Sequence, residues 1–130
     1  MEFETVLHLR QSVRKYTKEP ISQDDINFLL QAGQSAPAGK HNFRGYALAV
    51  VTDPVILGHI RKEFHYKTAP ETDPIFWAPA EIIIFETPQT IPYLKGFDAE
   101  GIAENSQLAA FSRGLGAVCV FSCIDQLEVK

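Results

Sequence analysis

The chain has 130 residues, which is enough for one domain with a hydrophobic core but too few for two. Hydrophobic residues form 45% of it and its formal net charge is -4, which excludes extensive disorder and, as a main role, nonspecific nucleic-acid binding, since that requires a broad basic surface. No apolar stretch is long enough to span a bilayer, and the amino-terminal residues lack the pattern of a secretory signal. We therefore predict a single cytoplasmic domain over residues 1–130 that binds neither nucleic acid nor membrane.

A short amphipathic helix is predicted over residues 2–10, because Phe3, Val6 and Leu7 recur at helical spacing. It leads into the basic segment, residues 10–16, which reads Arg-Gln-Ser-Val-Arg-Lys-Tyr. Guanidinium groups bind phosphate oxygens through paired hydrogen bonds, and alternate residues of an extended segment share a face. The basic segment is therefore either a site for a small anionic ligand or a solvated patch favoured by the carboxyl end of the helix.

The second helix has a complete start signal. Ser22 can cap it, Asp25 lies in capping-box position, and an isoleucine on each side of the cap can form a hydrophobic staple. These residues predict a helix over residues 23–35. Pro and Gly then break the pattern in the small-residue loop, residues 35–42, where small side chains allow a flat ligand or a partner backbone to approach closely.

Two strands and a helix between them follow. Residues 46–51 are nearly all apolar, which predicts a strand buried on both faces. Asp53 caps the next helix and Pro54 takes its first position, so that the helix extends to about residue 64. Residues 80–85 predict a second buried strand.

The two irregular stretches, residues 65–79 and 87–97, contain prolines and show no periodicity. Long loops of this kind either form the walls of a pocket or remain plain surface. Asp98 is predicted to cap a helix rich in small residues, which ends at the Gly-Leu-Gly of residues 114–116. Residues 117–121 predict a third buried strand.

Cysteine and histidine usage argues against a metal site. Cys119 and Cys123 lie in or near one apolar run, without further Cys or His residues around them, and are predicted to be buried free thiols. The four histidines are scattered without a pair four residues apart on a helix, so none is predicted to bind a metal.

The order of these elements resembles that of the flavin-dependent nitroreductases. The resemblance covers residues 1 to about 123, and its most specific parts are the basic segment and residues 98–116. It implies an α+β fold, a three-layer α/β/α sandwich with a mixed, largely antiparallel sheet. It also implies a homodimer that binds flavin mononucleotide (FMN) at the subunit interface.

The resemblance also implies which residues meet the cofactor. Arg10, Ser12 and Arg14, with Gln11 between them, stand where the family binds the flavin phosphate, ribityl chain and ring edge. The side chains that differ from the family pattern lie in the third predicted strand and in the small-residue loop. The strand residues Phe121 and Ser122 stand where the family aims backbone amides at the flavin ring, a role that tolerates side-chain change.

Pro37, Ala38 and Gly39 stand in the loop that the family presents to the flavin of the other subunit. The family usually continues with Asn-x-Gln-Pro-Trp, whereas this chain reads His-Asn-Phe-Arg-Gly from residue 41. Either His41 or Asn42 therefore takes the place of the family's Asn as a donor.

The activity implied is that of an FMN-dependent NAD(P)H oxidoreductase, which reduces nitro, quinone or similar small acceptors by ping-pong hydride transfer. No side chain is assigned as a catalytic residue, because hydride transfer requires no general acid. Family members usually have a further carboxyl-terminal segment of roughly forty or more residues, judged against usual domain sizes, so we expect the domain to be incomplete at that end. The alternative is a shortened, non-catalytic dimeric member that binds flavin or another small anion weakly or not at all.

Overall fold

The computed structural model describes residues 1–66 and 69–120. Its elements, in chain order, are the helices and strands α1 (Phe3–Leu9), α2 (Gln23–Gln34), β1 (Tyr46–Val51), α3 (Pro54–Glu63), β2 (Glu81–Glu86) and α4 (Lys95–Ser112), with short 3-10 turns at Gly39–His41 and Phe43–Gly45 between α2 and β1. The α+β class predicted from the sequence is confirmed. In this part of the chain, no helix combines the length and the apolar character needed to cross a membrane.

The local start signals of α2 and α3 are confirmed. Ser22 Oγ accepts a hydrogen bond from the backbone N–H of Asp25 at 3.1 Å, and its hydroxyl donates to the Asp25 carboxylate at 2.6 Å. Asp53 Oδ1 accepts from the backbone N–H of Val55 at 2.7 Å, and Pro54 occupies the first turn of α3. Both caps satisfy backbone donors that a helix leaves unpaired at its amino end.

Helices α2 and α4 pack closely and form the main core. Leu29 of α2 is buried against Ala109 and Ala110 of α4. A Cβ atom on Gly33 would lie 2.9 Å from Ser106 Oγ, so the absence of a side chain there permits the close approach. The small residues of α4 therefore act in packing, as the sequence predicts.

The two strands form an antiparallel pair with Tyr46 opposite Glu86 and Val51 opposite Glu81. The predictions that β1 is buried on both faces and that β2 is buried are wrong, because every residue of β1 and β2 is only half-buried or exposed. Within residues 1–66 and 69–120 the sheet has two strands, so its faces and edges are only partly covered. An all-apolar run was thus a poor guide to burial.

The basic segment contacts the residues that follow α4. Ser12 and Ala117 form a single parallel bridge, and the backbone N–H of Val13 donates to the carbonyl of Ala117 at 2.9 Å. A Cβ atom on Gly116 would lie 2.7 Å from Val13 Cγ1, so glycine is required at this contact. The predicted third strand appears in the described residues only as this bridge, since residues 118–120 are not in a strand and the rest of it lies outside the described residues.

Candidate functional site

The basic segment carries donors that protein groups leave largely unused. Arg10 is half-buried, with Nε 3.6 Å from Glu104 Oε1 of α4, which is a long ion pair. Gln11, Ser12 and Arg14 are exposed. The bridge between Ser12 and Ala117 keeps the segment extended there, and alternation in an extended chain would place residues 10, 12 and 14 on one side. Arg14 makes no ion pair within the described part of the chain, so its guanidinium is available to an anion.

A buried carboxylate fixes the small-residue loop. Asp98 is 5% exposed; its Oδ1 accepts a hydrogen bond from the backbone N–H of Gly39 at 2.8 Å, and its Oδ2 accepts from the hydroxyl of Tyr46 at 3.0 Å. The prediction that Asp98 caps α4 is wrong. The helix begins three residues earlier, at Lys95, and the carboxylate points to partners 59 and 52 residues away in the chain. Asp98 therefore joins α4, the loop and β1.

The loop that Asp98 fixes has an unusual backbone. Lys40 and His41 have φ values of 55° and 57°, in the left-handed region that L-residues seldom adopt. A Cβ atom on Gly39 would lie 2.6 Å from Leu94 Cδ1, so a side chain cannot enter here without displacing Leu94. Tertiary contacts rather than local propensity therefore hold this conformation.

The pKa of Tyr46 is raised to about 12, and burial of its hydroxyl is the largest cause. The hydrogen bond to Asp98 and the negative charges of Asp98 and Glu86 raise it further. The Tyr46 hydroxyl is thus a permanent donor at neutral pH. Its role here is to hold the Asp98 carboxylate.

A cleft of about 310 Å³ opens beside this carboxylate. Pro37 and Ala38 form part of one wall, together with Asp98 and Tyr46. The remaining lining is mostly apolar or small: Gly33, Gln34, Ala36, Phe43, Ala47, Leu48 and Ile102. Sequence reasoning missed the Asp98–Tyr46 pair, because an Asp before a helical pattern is read as a cap and nothing local points to residues 39 and 46.

His41 and Asn42, the two candidate donors at the end of the small-residue loop, differ in their contacts. Asn42 is half-buried, and its Nδ2 donates to the backbone carbonyl of Gln89 at 2.8 Å. His41 is exposed, and its ring centroid lies 6.3 Å from that of Phe43. The side chain of Asn42 therefore already serves to hold the segment after β2, while His41 faces solvent.

The predicted site residues fall into two groups, which contact α4 at different positions along the helix. Arg10 contacts the helix at Glu104, whereas Gly39 contacts it at Asp98, nearer its amino end. Pro37 and Ala38 belong with Gly39, and Ser12 and Arg14 belong with Arg10. Phe121 and Ser122 lie outside the described residues.

Cys119 lies beside the first group and is expected to be unreactive. Burial, assisted by the negative charges of Glu100 and Glu104, raises the pKa of its thiol to about 11 from an ordinary value of 9.0. In a Cys123→Ser background, we expect iodoacetamide to alkylate the native protein at pH 8 about 10- to 100-fold more slowly than the unfolded protein, because the thiolate is scarcer although more nucleophilic. Mass spectrometry over time measures this, and equal rates would contradict the assignment.

Comparison with protein families matches residues 7–129 to the nitroreductase family. A nitroreductase with bound FMN from Bacteroides fragilis has 28% sequence identity and a TM-score of 0.76, over 88% of this chain and 66% of that one. An FMN-dependent nitroreductase from Clostridium difficile has 25% identity and a TM-score of 0.73, over 88% of this chain and 58% of that one.

A third structure, an FMN complex from Desulfovibrio desulfuricans, has a TM-score of 0.82 over 97% of this chain and 72% of that one. At 24% identity it supports the fold alone. No curated protein matches the chain. The chain thus spans just under two thirds of the Bacteroides structure and a smaller share of the Clostridium one.

Proposed function

Because the chain belongs to the nitroreductase family over residues 7–129, we propose that it is an FMN-dependent oxidoreductase that uses NADH or NADPH to reduce nitro, quinone or similar small acceptors. The observation that carries this proposal is the basic segment, held in extended form against Ala117 in the segment that follows α4. Two guanidinium groups and a hydroxyl at alternate positions form a donor set suited to a phosphate ester.

The chain's own residues fit the cofactor's anionic end. Arg10 and Ser12 would hold the phosphate and the polar chain, with Gln11 beside them. Arg14 carries an unpaired positive charge within the described residues, and would favour negative charge at the pyrimidine edge of the flavin ring. When bound, FMN supplies the hydride transfer itself, accepting hydride from the nicotinamide and passing it to the acceptor in a second half-reaction.

The small-residue loop would meet the flavin of a partner subunit in a homodimer. Pro37, Ala38 and Gly39 present little side-chain bulk, and Asp98 fixes the loop from behind. This arrangement allows a flat ring to approach the backbone closely. Of the two open candidates for a donor, we infer His41, because the Asn42 amide already donates to Gln89.

The remaining parts of the proposal follow from the family. We propose that Phe121 and Ser122 direct backbone amides at the ring and that residues 1–130 lie within a single cytoplasmic domain. We also propose that the domain belongs to a three-layer α/β/α sandwich. Solution scattering or chromatography with light scattering would test the homodimer, and a monomer at micromolar concentration would contradict it.

The purified protein, supplied with FMN, is expected to retain visible flavin absorbance through gel filtration and to lose it on addition of NADH or NADPH without oxygen. A subsequent nitro or quinone acceptor should restore the absorbance. Failure to bind micromolar FMN would overturn the cofactor assignment and support the alternative, a shortened, non-catalytic dimeric member. Retained flavin that neither nucleotide bleaches would overturn the NAD(P)H-dependent activity.

A further inference from the structure

The loop between α3 and β2 contacts α3 through a half-buried ion pair that the proposed function does not use. Arg61 of α3 lies with Nε 3.3 Å from Asp73 Oδ2, as an ion pair without hydrogen-bond geometry, and the two side chains are 19% and 10% exposed. Arg61 Nη2 also donates to the backbone carbonyl of Ala78 at 3.3 Å, and the guanidinium carbon lies 4.7 Å from the centroid of the Trp77 ring. One arginine thus contacts this loop at three points.

Asp73 shapes the turn that follows it. Its Oδ1 accepts hydrogen bonds from the backbone N–H groups of Ile75 at 3.1 Å and Trp77 at 2.9 Å. Phe76 and Trp77 have φ values of 53° and 57°, a left-handed conformation that is costly for aromatic residues. The conformation therefore requires a structure that imposes it, and the pair of Arg61 with Asp73 provides one.

The turn delivers an aromatic ring to the basic segment. The guanidinium carbon of Arg14 lies 5.8 Å from the centroid of the Phe76 ring, within the range of a cation–π interaction. The other described ring contact of Phe76 is with Tyr66, at 6.1 Å between centroids. Tyr66 is buried, and its hydroxyl donates to the carbonyl of Pro74 at 3.0 Å. Both ends of the turn are therefore fixed.

We propose that Arg61, Asp73 and Phe76 are positioning residues for Arg14: the ion pair fixes the turn of residues 73–77, and the Phe76 ring then restrains the Arg14 guanidinium before an anionic ligand binds. An exposed arginine loses much rotamer entropy when it binds a ligand, and prior restraint reduces that loss. The link to cofactor affinity rests on the proposed function, in which Arg14 meets FMN.

The first test measures FMN affinity by fluorescence quenching in a double-mutant cycle. Phe76→Leu is expected to weaken binding about two- to fivefold, the size of an exposed cation–π interaction, whereas Phe76→Tyr keeps wild-type affinity. In an Arg14→Ala background, Phe76→Leu should have no further effect. Equal weakening in both backgrounds would overturn the proposal, because a merely structural effect does not depend on Arg14.

The second test needs no flavin and follows the NMR signals of the Arg14 side chain. The ring-current shift that Phe76 produces is expected to disappear in Phe76→Leu and to persist in Phe76→Tyr. Arg61→Lys, which keeps the charge but loses the planar fork, should reduce it, while the matched control Lys62→Arg, the reverse exchange at an exposed position of the same helix, should not. Circular dichroism confirms that each variant is folded.

The two tests distinguish failure of the proposed function from failure of the proposal that Arg14 is positioned by Phe76 and the ion pair. If wild-type protein binds no FMN, the proposed function fails, but the NMR comparison still decides whether Phe76 restrains Arg14. If Arg61→Lys leaves the Arg14 signals unchanged, the part of the proposal that concerns the ion pair is overturned.

Discussion

Replacing Arg10 and Arg14 together with Ala is expected to weaken FMN binding by about 100-fold or more, since a hydrogen bond to a charged group contributes about 1.5–3 kcal/mol and two such donors are lost. The loss should be large because protein partners satisfy neither side chain well. Within residues 1–66 and 69–120, Arg10 has a single 3.6 Å ion pair with half-exposed Glu104, and exposed Arg14 contacts the Phe76 ring at 5.8 Å without an ion pair. Equilibrium dialysis or fluorescence quenching measures the change.

Riboflavin, which lacks the phosphate, provides the matched ligand. Its affinity should fall less in the double variant, because riboflavin loses the Arg14 contact at the ring edge but has no phosphate contact with Arg10 to lose, so that the preference for FMN over riboflavin narrows. Lys18 and Lys62 are both exposed, so changing these two to Ala removes the same formal charge outside the site and should leave both affinities within about twofold at moderate salt. A double arginine variant that still purifies with its flavin would show that the basic segment is not the phosphate site.

The features that the sequence predicts well are those decided within a few residues. Ser22 and Asp53 cap α2 and α3 as expected, because a cap joins a side chain to backbone N–H groups two or three residues away. The small residues of α4 are also interpretable, since Ala109 and Ala110 pack against α2 and Ser106 lies beside Gly33 of α2. The basic segment stands out for a similar reason, as its donors are consecutive in the chain.

The features that the sequence does not predict depend on distant partners. The start of α4 is misjudged because Asp98 has the side chain of a cap but contacts Gly39 and Tyr46 instead. Residues 65–79 are predicted only as a pocket wall or plain surface, yet they contain buried Ile75, and Asp73 among them forms an ion pair with Arg61 of α3. Proline-rich segments without periodicity give no signal of such contacts, because pattern reasoning detects only regular elements.

Asp98→Ala is expected to lower the free energy of unfolding by about 2–4 kcal/mol, since the Gly39 N–H and the Tyr46 hydroxyl lose their partner in a half-buried site. That is a large share of the stability of a domain this size. Urea denaturation measures it. Hydrogen exchange at the Gly39 amide should accelerate more than exchange in α2, because the loop loses its anchor while the helix keeps its own bonds.

The variant Asp98→Asn separates the hydrogen bonds from the charge. The amide can accept from Gly39 and donate to the Tyr46 oxygen, so we expect a smaller loss of stability than with Ala. Spectroscopic titration should show the pKa of Tyr46 falling below its present value of about 12 while remaining above 10.0, because burial persists when the charge of Asp98 is gone. In the wild type the neutral hydroxyl stabilises the fold fully below pH 10.0, and that contribution is lost as the pH rises towards 12, whereas Tyr46→Phe should abolish this alkaline loss. Unchanged stability and unchanged Gly39 exchange in Asp98→Ala would mean that the loop holds its left-handed backbone without this carboxylate.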